Sequence, residues 1–357
     1  MRLSCSNGSH VTVPAFEEEP ELPPVDIQSQ TIEICSMSTF TREIRSAATD
    51  WDYDNAIIGC LTPDDPLLFG EGAIHPDILP LLREFSDILT SEIPGGLPPE
   101  RTGVDGLPLE HTIEISPDAK PYARPPRPFT QAEEQQIRRY IDAFFQKGWL
   151  VPSLSPWAAP ILFVLKKADP TTGERTWRMV VSYVKLNSKT LNRIAYRLPR
   201  IADLLARVSR SAYFSKLDLL DGFYQIRMRE SDIEKTAIAT PFENYHFRVM
   251  PMGLCGAPGT FQRVMDDTFH APARLDANAP AVPFSNFLAI DLDDLCVHSS
   301  TIDEHVVHLR AVLTRIREKQ LYAKPTKCQW LRTSIEFLGH TVDSSGLSTT
   351  TSKVDAL

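Results

Sequence analysis

Residues 286–300 form an apolar stretch that carries three carboxylates, those of Asp291, Asp293 and Asp294. An apolar run bounded by turn-forming residues predicts a buried β-strand. A buried strand normally excludes carboxylates, because an uncompensated charge is costly to remove from water. The strand can therefore keep these charges only if a bound metal ion compensates them, and this requirement restricts how the chain can fold.

A second strand-like run, residues 215–219, contains Asp218, 75 positions before Asp293. If the two strands lie side by side, their carboxylates can share Mg²⁺ ions, which prefer hard oxygen ligands. Two such ions can activate an attacking hydroxyl and stabilise a leaving oxygen in phosphoryl transfer. Asp293 and Asp294 would point to opposite faces of a regular strand, so both reach one site only if the strand ends there in a tight hairpin. Taken alone, an Asp-Asp pair is more often a turn or a solvated edge.

The amino-acid composition limits which class of protein the chain can belong to. With 357 residues, of which 42% are hydrophobic and 23% charged, the chain is typical of a globular protein with at least one sizeable core. No apolar run approaches the roughly 18–20 residues that cross a bilayer, and no basic-then-apolar leader stands at the N-terminus. The six cysteines lack C-x-x-C spacing, which argues against a zinc site and for reduced thiols.

The net charge of −9 is unevenly distributed. Residues 1–118 hold 22 acidic and 5 basic side chains, whereas residues 119–357 hold 24 acidic and 32 basic side chains. An acidic leader joined to a basic body suggests contact with a polyanion such as nucleic acid. A solubilising surface is the equally weighted alternative.

Proline marks the leader. Residues 1–128 contain 17 of the 29 prolines, and proline removes a backbone donor and fixes φ. We therefore expect an acidic, Pro-rich and largely irregular segment over residues 1–107, with one short helix at residues 75–89.

Regular elements are predicted after this leader. Residues 130–133 fit a capping box that opens a helix ending at Gly148, with an apolar face made of Ile137, Tyr140, Ile141, Phe144 and Phe145. Further helices are predicted at residues 201–208 and 303–319, and strands at residues 111–115, 160–165, 177–181, 212–219 and 287–298. The mixture lacks regular βαβ alternation, which favours an α+β fold.

Two histidines, His305 and His308, stand three apart on the last predicted helix. They have acidic neighbours, so a metal site is one interpretation. A solvated helix face is the favoured interpretation.

A long series of short motifs follows one order along residues 119–340. They are Ala119-Lys-Pro-Tyr122, Lys147-Gly-Trp149, Ser155-Pro-Trp157, Phe163-Val-Leu-Lys-Lys167, Trp177-Arg-Met179, Leu198-Pro-Arg-Ile201, Tyr213-Phe-Ser-Lys-Leu-Asp-Leu219, Gly222-Phe-Tyr-Gln-Ile226, Met250-Pro-Met-Gly-Leu254, Leu292-Asp-Asp294 and Phe337-Leu-Gly-His340. With these motifs the chain resembles the reverse transcriptases of gypsy-type long-terminal-repeat retrotransposons across roughly residues 108–357. The resemblance implies the fingers and palm of a right-hand polymerase, with an antiparallel palm sheet and a core at about residues 147–342, and without a thumb or an RNase H domain.

The resemblance also implies the site. Three aspartates match the family's ligands for two Mg²⁺ ions, with Mn²⁺ as an alternative: Asp218, Asp293 and Asp294. Nucleotide contacts are implied for Lys166 (or Lys167), Arg178, Phe223, Gly253 and Gln262, and a primer grip for Phe337, Leu338 and Gly339. Each also has an ordinary structural interpretation: a solvated hairpin for the basic residues, a core aromatic for Phe223, and a plain strand end for the grip.

The implied function is RNA-directed DNA polymerisation on an RNA or DNA template with a DNA primer and dNTPs. A second chain is the expected source of a thumb and RNase H, and the expected location is the cytoplasm, virus-like particles or the nucleus. Asp291 stands where the family usually has Tyr, which adds a negative charge beside the ligands, so we hypothesise reduced activity. The alternatives are an inactive retroelement remnant that binds only nucleic acid or a partner, an RNA-directed RNA polymerase, which Phe223 disfavours, and a decayed fragment.

Overall fold

The computed structural model describes residues 2–4, 10–12, 74–165, 177–191, 196–276 and 280–349. The chain divides into two compact units, residues 1–63 and residues 64–357. In the first unit, the described residues form an antiparallel hairpin of β1 (Arg2–Ser4) and β2 (His10–Thr12).

Helices and strands of the second unit follow one another without a regular alternation. The helices are α1 (Leu79–Glu84), α2 (Gln131–Gln146), α3 (Val184–Asn187), α4 (Ile201–Val208), α5 (Ala257–Thr268) and α6 (Ile302–Glu318). The strands are β3 (Leu150–Pro152), β4 (Ala159–Leu165), β5 (Trp177–Val181), β6 (Tyr213–Asp218), β7 (Ile238–Ala239), β8 (Asn244–Phe247), β9 (Leu288–Asp291), β10 (Asp294–Ser299), β11 (Gln329–Arg332), β12 (Ser334–Phe337), β13 (His340–Asp343) and β14 (Gly346–Thr349). Short 3₁₀ turns occupy Gly222–Gln225, Glu230–Thr236, Phe284–Asn286 and Pro325–Lys327.

A four-stranded antiparallel sheet lies at the centre of the second unit, in the order β11-β6-β10-β9. Side chains alternate between its two faces. Leu217, Leu295 and Val297 share one core with the apolar residues of α6. Phe214 and Cys296 belong to another core, with residues of α4 and the β12–β13 hairpin. The sheet is therefore buried on both faces, which fixes its register because a one-residue slip would exchange the two faces.

The second unit contains two further sheets among its described residues. A five-stranded sheet has the order β3-β8-β7-β4-β5, with one parallel pair between β4 and β7, and it shares a core with α2. A three-stranded antiparallel sheet has the order β12-β13-β14. The predicted α+β class with an antiparallel sheet at its centre is confirmed.

The predictions made from local sequence patterns are confirmed at the start and end of α2 but fail at two other places. The capping box is present, with the Thr130 hydroxyl accepting from the Glu133 N–H and the Glu133 carboxylate accepting from the Thr130 N–H, and the helix stops before Gly148 at φ +69°. Phe145 was expected on the buried face but is 52% exposed, because Ile137 and Ile141 define the face that packs. The strand predicted at residues 111–115 is wrong, since this segment pairs only at single positions through His111 and Ile115.

Ordered structure begins earlier than the predicted boundary at residue 107/108. Within residues 74–107, seven apolar side chains are buried in the cores: Ile78, Leu81, Leu82, Phe85, Ile88, Leu89 and Ile93. Arg317 also stacks over the Phe85 ring and pairs with Asp87. This segment is thus part of the packed body despite its prolines. For residues 13–73, which lie outside the described residues, the predicted leader stays a prediction.

His305 is buried against β6 and β10 of the central sheet, so the expected solvated helix face is wrong at this position. Its Nε2 lies 2.7 Å from the Ser215 hydroxyl and its Nδ1 lies 3.0 Å from the Ser299 hydroxyl. His308 Nδ1 contacts the same Ser299 hydroxyl at 2.8 Å. Burial, followed by the neighbouring histidines, lowers the pKa of His305 to about 3, and burial lowers that of His298 to about 4.

None of the helices in the described part of the chain combines the length and the apolar character that a bilayer span requires.

Leu82→Ala should lower the free energy of unfolding by about 2–5 kcal/mol, because the Leu82 side chain is fully buried in the core. Leu107→Ala is the matched control from the same segment; Leu107 is 57% exposed, so its loss should stay below about 0.5 kcal/mol. Urea unfolding of both variants makes the comparison. Equal, small losses would show that residues 74–107 are a leader rather than part of the body.

The free energy of unfolding should also fall as the pH drops from about 7 to about 5. An unfolded histidine titrates near pH 6.5, whereas folded His298 and His305 have pKa values of about 4 and about 3. Below pH 6.5 the unfolded chain binds protons that the fold excludes, which costs up to about 1.4 kcal/mol per pH unit for each histidine. Urea unfolding at both pH values measures the loss, and His305→Gln should reduce its pH dependence by one histidine's share. A pH-independent stability over this range would contradict the burial of neutral imidazoles.

Candidate active site

Three aspartates stand directly opposite one another across neighbouring strands of the central sheet. Asp294 is the register partner of Asp218 on β6 and of Asp291 on β9. Directly opposed residues of antiparallel strands point to the same face, so these carboxylates form one row. Leu292 and Asp293 make the two-residue turn between β9 and β10, and Asp293 is exposed at its tip. The tight hairpin that the sequence required is present.

Two lysines supply opposite charge to this row. Lys216 Nζ lies 2.8 Å from Asp294 Oδ1, and Lys327 Nζ lies 3.7 Å from Asp218 Oδ1. Lys216 belongs to the same face as Asp218 because it precedes it by two positions on β6. Side-chain exposure of 24% for Asp218 and 32% for Asp294 keeps both carboxylates accessible from solvent.

Burial, with a further contribution from neighbouring carboxylates, raises the pKa of two aspartates of the row. Burial raises the pKa of Asp218; Lys327 opposes this shift, and the negative charges of Asp293 and Asp294 add to it. Burial also raises the pKa of Asp291, followed by repulsion from Asp294 and Asp293. Asp291 thus faces Asp294 across the strands, which adds a carboxylate to the end of the row.

Three of the five predicted nucleotide-binding residues, Phe223, Gly253 and Gln262, lie wholly within the described part of the chain. Phe223 is half-buried in the 3₁₀ turn that follows β6, with its ring centroid 5.3 Å from that of Phe261 on α5. Gln262 is the next residue of α5 and is buried. Gly253 has φ +97°, and a Cβ there would lie 3.3 Å from the Val181 carbonyl at the end of β5.

Arg178 is a residue of β5, and its side chain lies outside the described residues. Lys166 and its alternative Lys167 also lie outside the described residues. The structure therefore places the backbone of β5 beside the Gly253 turn, and the roles of the two bases stay predictions.

The predicted primer grip is a β-hairpin turn between β12 and β13. Phe337 pairs with His340, and Leu338 and Gly339 form the turn with φ +51° and +74°, the pattern of a two-residue turn that follows the strand twist. Phe337 is fully buried against Phe214 and Cys296 of the central sheet. The grip residues are thus joined to the sheet that carries the aspartates.

Sequence reasoning missed the lysine counter-charges and two other residues of this site. Lys216 could have been found from its spacing of two from Asp218 on one strand. Asp266 accepts a hydrogen bond from Gln262 one helical turn earlier, a spacing that places both on one helix face. Tyr196, which donates to Asp266, left no signal in the local pattern.

Comparisons with known proteins agree on the family. A family model described as "Reverse transcriptase (RNA-dependent DNA polymerase)" matches residues 165–342. Residues 165–342 belong to the reverse transcriptase family. This reverse transcriptase domain contains all three predicted metal-binding aspartates and both lysine counter-charges.

Relatives and solved structures extend the likeness beyond the domain. The chain is 34% identical over 294 residues to the "Retrovirus-related Pol polyprotein from transposon opus" of Drosophila melanogaster, covering 82% of this chain and 27% of that protein. It is 30% identical to the corresponding polyprotein of transposon 297 from the same organism, covering 70% of this chain and 22% of the polyprotein. The foamy viral protease-reverse transcriptase in complex with RNA/DNA hybrid matches in fold, with a TM-score of 0.61 at 18% identity over 94% of this chain and 38% of that one. The chain spans about a quarter of the length of these curated relatives.

The family generally uses divalent metals, and the carboxylates of the three predicted ligands, Asp218, Asp293 and Asp294, suit such an ion in their chemistry. All are hard carboxylate oxygens that reach solvent. As they stand, no group of three or more His, Cys, Asp or Glu side chains in the described ranges is arranged to hold a metal ion. Lys216 pairs with Asp294 and Lys327 with Asp218. A cation at Asp218, Asp293 and Asp294 would take over the compensating role of the two ammonium groups.

Asp291→Asn should raise the free energy of unfolding at pH 7 by about 0.2–1 kcal/mol, because it removes the like charge directly opposite Asp294. Asp118→Asn removes a carboxylate from an exposed turn and should change stability by less than about 0.5 kcal/mol. Chemical denaturation without divalent metal compares the two. A loss of stability in Asp291→Asn would show that this carboxylate is held by favourable contacts rather than tolerated.

Proposed function

We propose that this chain is the fingers and palm of an RNA-directed DNA polymerase from a gypsy-type long-terminal-repeat retrotransposon. One observation carries the proposal: Asp218 and Asp294 are register partners, and Asp293 stands at the tip of the hairpin beside them. Residues 75 positions apart in the sequence thus supply carboxylates to a single edge of the central sheet. The family of residues 165–342 is consistent with this chemistry.

The proposed substrates are dNTPs and a DNA primer paired to an RNA or DNA template. Residues 119–217 hold 18 basic and 6 acidic side chains, and such an excess favours contact with nucleic-acid phosphates. The foamy viral enzyme of similar fold was solved in complex with RNA/DNA hybrid. A thumb and RNase H would come from elsewhere in a longer polyprotein or from a second chain, and the site of action would be the cytoplasm, virus-like particles or the nucleus.

In the proposed reaction the primer 3′-hydroxyl loses its proton to solvent and attacks the α-phosphate of the dNTP, a new phosphodiester bond forms, and pyrophosphate leaves with the electrons of the broken bond. Asp218 and Asp293 would hold two Mg²⁺ ions, with Asp294 in support because Lys216 already engages one of its oxygens. When bound, the ions supply activation of the hydroxyl and stabilisation of the leaving oxygen. The half-buried ring of Phe223 would lie under the sugar and exclude a 2′-hydroxyl.

A non-catalytic protein that only binds nucleic acid is the second candidate. It is favoured by the fourth carboxylate, Asp291, which adds negative charge beside the three proposed ligands. Clustered carboxylates repel primer phosphates and can bind metal in an unproductive geometry.

Primer extension with purified full chain tests the first proposal. We expect Mg²⁺-dependent incorporation of dNTPs that Asp218→Asn abolishes, because it removes a charged ligand from the centre of the site. Asp118→Asn, the exposed-turn control, should leave incorporation unchanged. Equal incorporation by the wild type and Asp218→Asn would overturn the assignment, and binding of template-primer without any incorporation would favour the second candidate.

The effect of Asp291 is tested by its replacement. Asp291→Tyr restores the residue usual in the family and removes one carboxylate from the row, so dNTP incorporation on a homopolymer template should rise at least about fivefold. Asp291→Asn separates the two causes, since it removes the charge without adding the ring. Equal rates for all three proteins would contradict the idea that Asp291 impairs the site.

A further inference from the structure

The turn that carries Asp293 has a backbone conformation that its sequence does not favour. Leu292 has φ +55°, in the left-handed region that residues with a Cβ seldom adopt. Two-residue hairpin turns usually place Gly, Asn or Asp at such positions. Leu292 must therefore be held in place by contacts from outside the turn.

A chain of three hydrogen bonds reaches this turn from α5. The Leu292 N–H donates to Gln262 Oε1 at 2.9 Å. Gln262 Nε2 donates to Asp266 Oδ1 at 2.8 Å. The Tyr196 hydroxyl donates to Asp266 Oδ2 at 2.7 Å. We call these three bonds, from Tyr196 to Leu292, the tether.

The carboxylate of Asp266 determines which way the Gln262 amide faces. A carboxylate only accepts hydrogen bonds, so it selects the NH₂ end of the amide. The carbonyl end is then presented to the Leu292 N–H. In the reverse orientation, the NH₂ group would meet the N–H donor of Leu292 and the carbonyl would meet the carboxylate, so both bonds would be lost.

The Leu292 side chain packs against the core, but packing is incomplete beside Gln262 and Asp266. Gln262 is 1% exposed, and a buried amide without partners is costly. A cavity of about 230 Å³ lies beside Gln262 and Asp266 and is also lined by Leu288 and Ile290 of β9. This open volume adjoins both the tether and the strand that leads into the turn. The hydrogen bonds of the tether therefore stabilise the turn at a place where side-chain packing is incomplete.

We propose that Asp266 and Tyr196 are positioning residues for the catalytic turn: through Gln262 they fix the backbone of Leu292 and with it the carboxylate of Asp293. Gln262 then holds the turn through its hydrogen bond to Leu292, in addition to the pocket role that the family resemblance implies for it. The consequence for catalysis rests on the proposed polymerase function, whereas the tether itself is a property of the fold.

Hydrogen exchange followed by mass spectrometry on the full chain tests the tether without any need for activity. Asp266→Ala should speed exchange of the Leu292 amide about tenfold or more, because Gln262 loses the group that orients it. Tyr196→Phe should give a smaller increase in the same peptide, and Asp266→Asn should stay within about threefold of the wild type, since an amide can still accept from Gln262.

A matched control exists on β8, where the Tyr245 hydroxyl donates to Glu243 Oε1 at 2.8 Å. Tyr245→Phe removes a tyrosine–carboxylate bond of the same kind and should leave exchange at Leu292 unchanged. Unchanged exchange at Leu292 in both Asp266→Ala and Tyr196→Phe would overturn the proposal. If Asp266→Ala does not fold, Tyr196→Phe decides alone, because it removes one exposed hydroxyl.

Single-nucleotide incorporation tests the consequence for catalysis. Asp266→Ala should lower kcat about tenfold while KM for the dNTP changes less than about threefold, and Asp266→Asn should recover most of the rate. A wild type without incorporation overturns the polymerase function and leaves the exchange result to decide the tether. Faster exchange at Leu292 with an unchanged kcat would overturn the positioning role.

Discussion

Electrostatic repulsion within one row of carboxylates is the constraint on which the site depends. Asp291, Asp294 and Asp218 are direct neighbours on three adjacent strands, an arrangement that an isolated sheet would avoid. The sheet forms because apolar cores cover both of its faces, and because Lys216 and Lys327 bring positive charge to the row. Negative charge that the fold holds this close together favours a bound cation, and this is the chemical basis of the proposed activity.

The elements around the row convert this charge into a defined geometry. The turn between β9 and β10 brings Asp293 to the edge of the sheet, and the tether from α5 holds that turn in a backbone conformation that leucine disfavours. On the other side of β6, Ser215 joins the strand to His305 of α6. The strand that carries Asp218 is thus fixed by polar contacts as well as by apolar packing, which limits how far its carboxylate can move.

The helix cap and the hairpin turn could be predicted because they depend on local chemistry, whereas the central part of the site was predicted from the resemblance to a family. The capping box at Thr130 and the hairpin required by Asp293 and Asp294 follow from short-range rules. The proximity of Asp218 to these two aspartates was predicted from the motifs of the family. Burial of His305 could not be predicted, because its partners Ser215 and Ser299 come from two other elements.

Contacts between residues that are far apart in the sequence also explain the other differences between prediction and structure. Residues 74–107 read as a linker because of their prolines, and only the tertiary structure shows that Leu82 and its neighbours complete a core. Tyr196 and Asp266 lie 70 positions apart, so no local pattern could connect them to the turn at Leu292. The motifs of the family thus do not reveal such contacts between residues that are distant in the sequence.

Direct measurement of metal binding tests the central claim. Titration of the full chain with Mn²⁺, followed by electron paramagnetic resonance of the free ion and repeated in competition with Mg²⁺, reports binding without substrate or turnover. The account predicts saturable binding that Asp218→Asn or Asp293→Asn weakens at least about tenfold and that Asp118→Asn leaves unchanged. Binding of the same strength in all four proteins would contradict it, because the carboxylates at the edge of the central sheet would then not be the site that holds the metal.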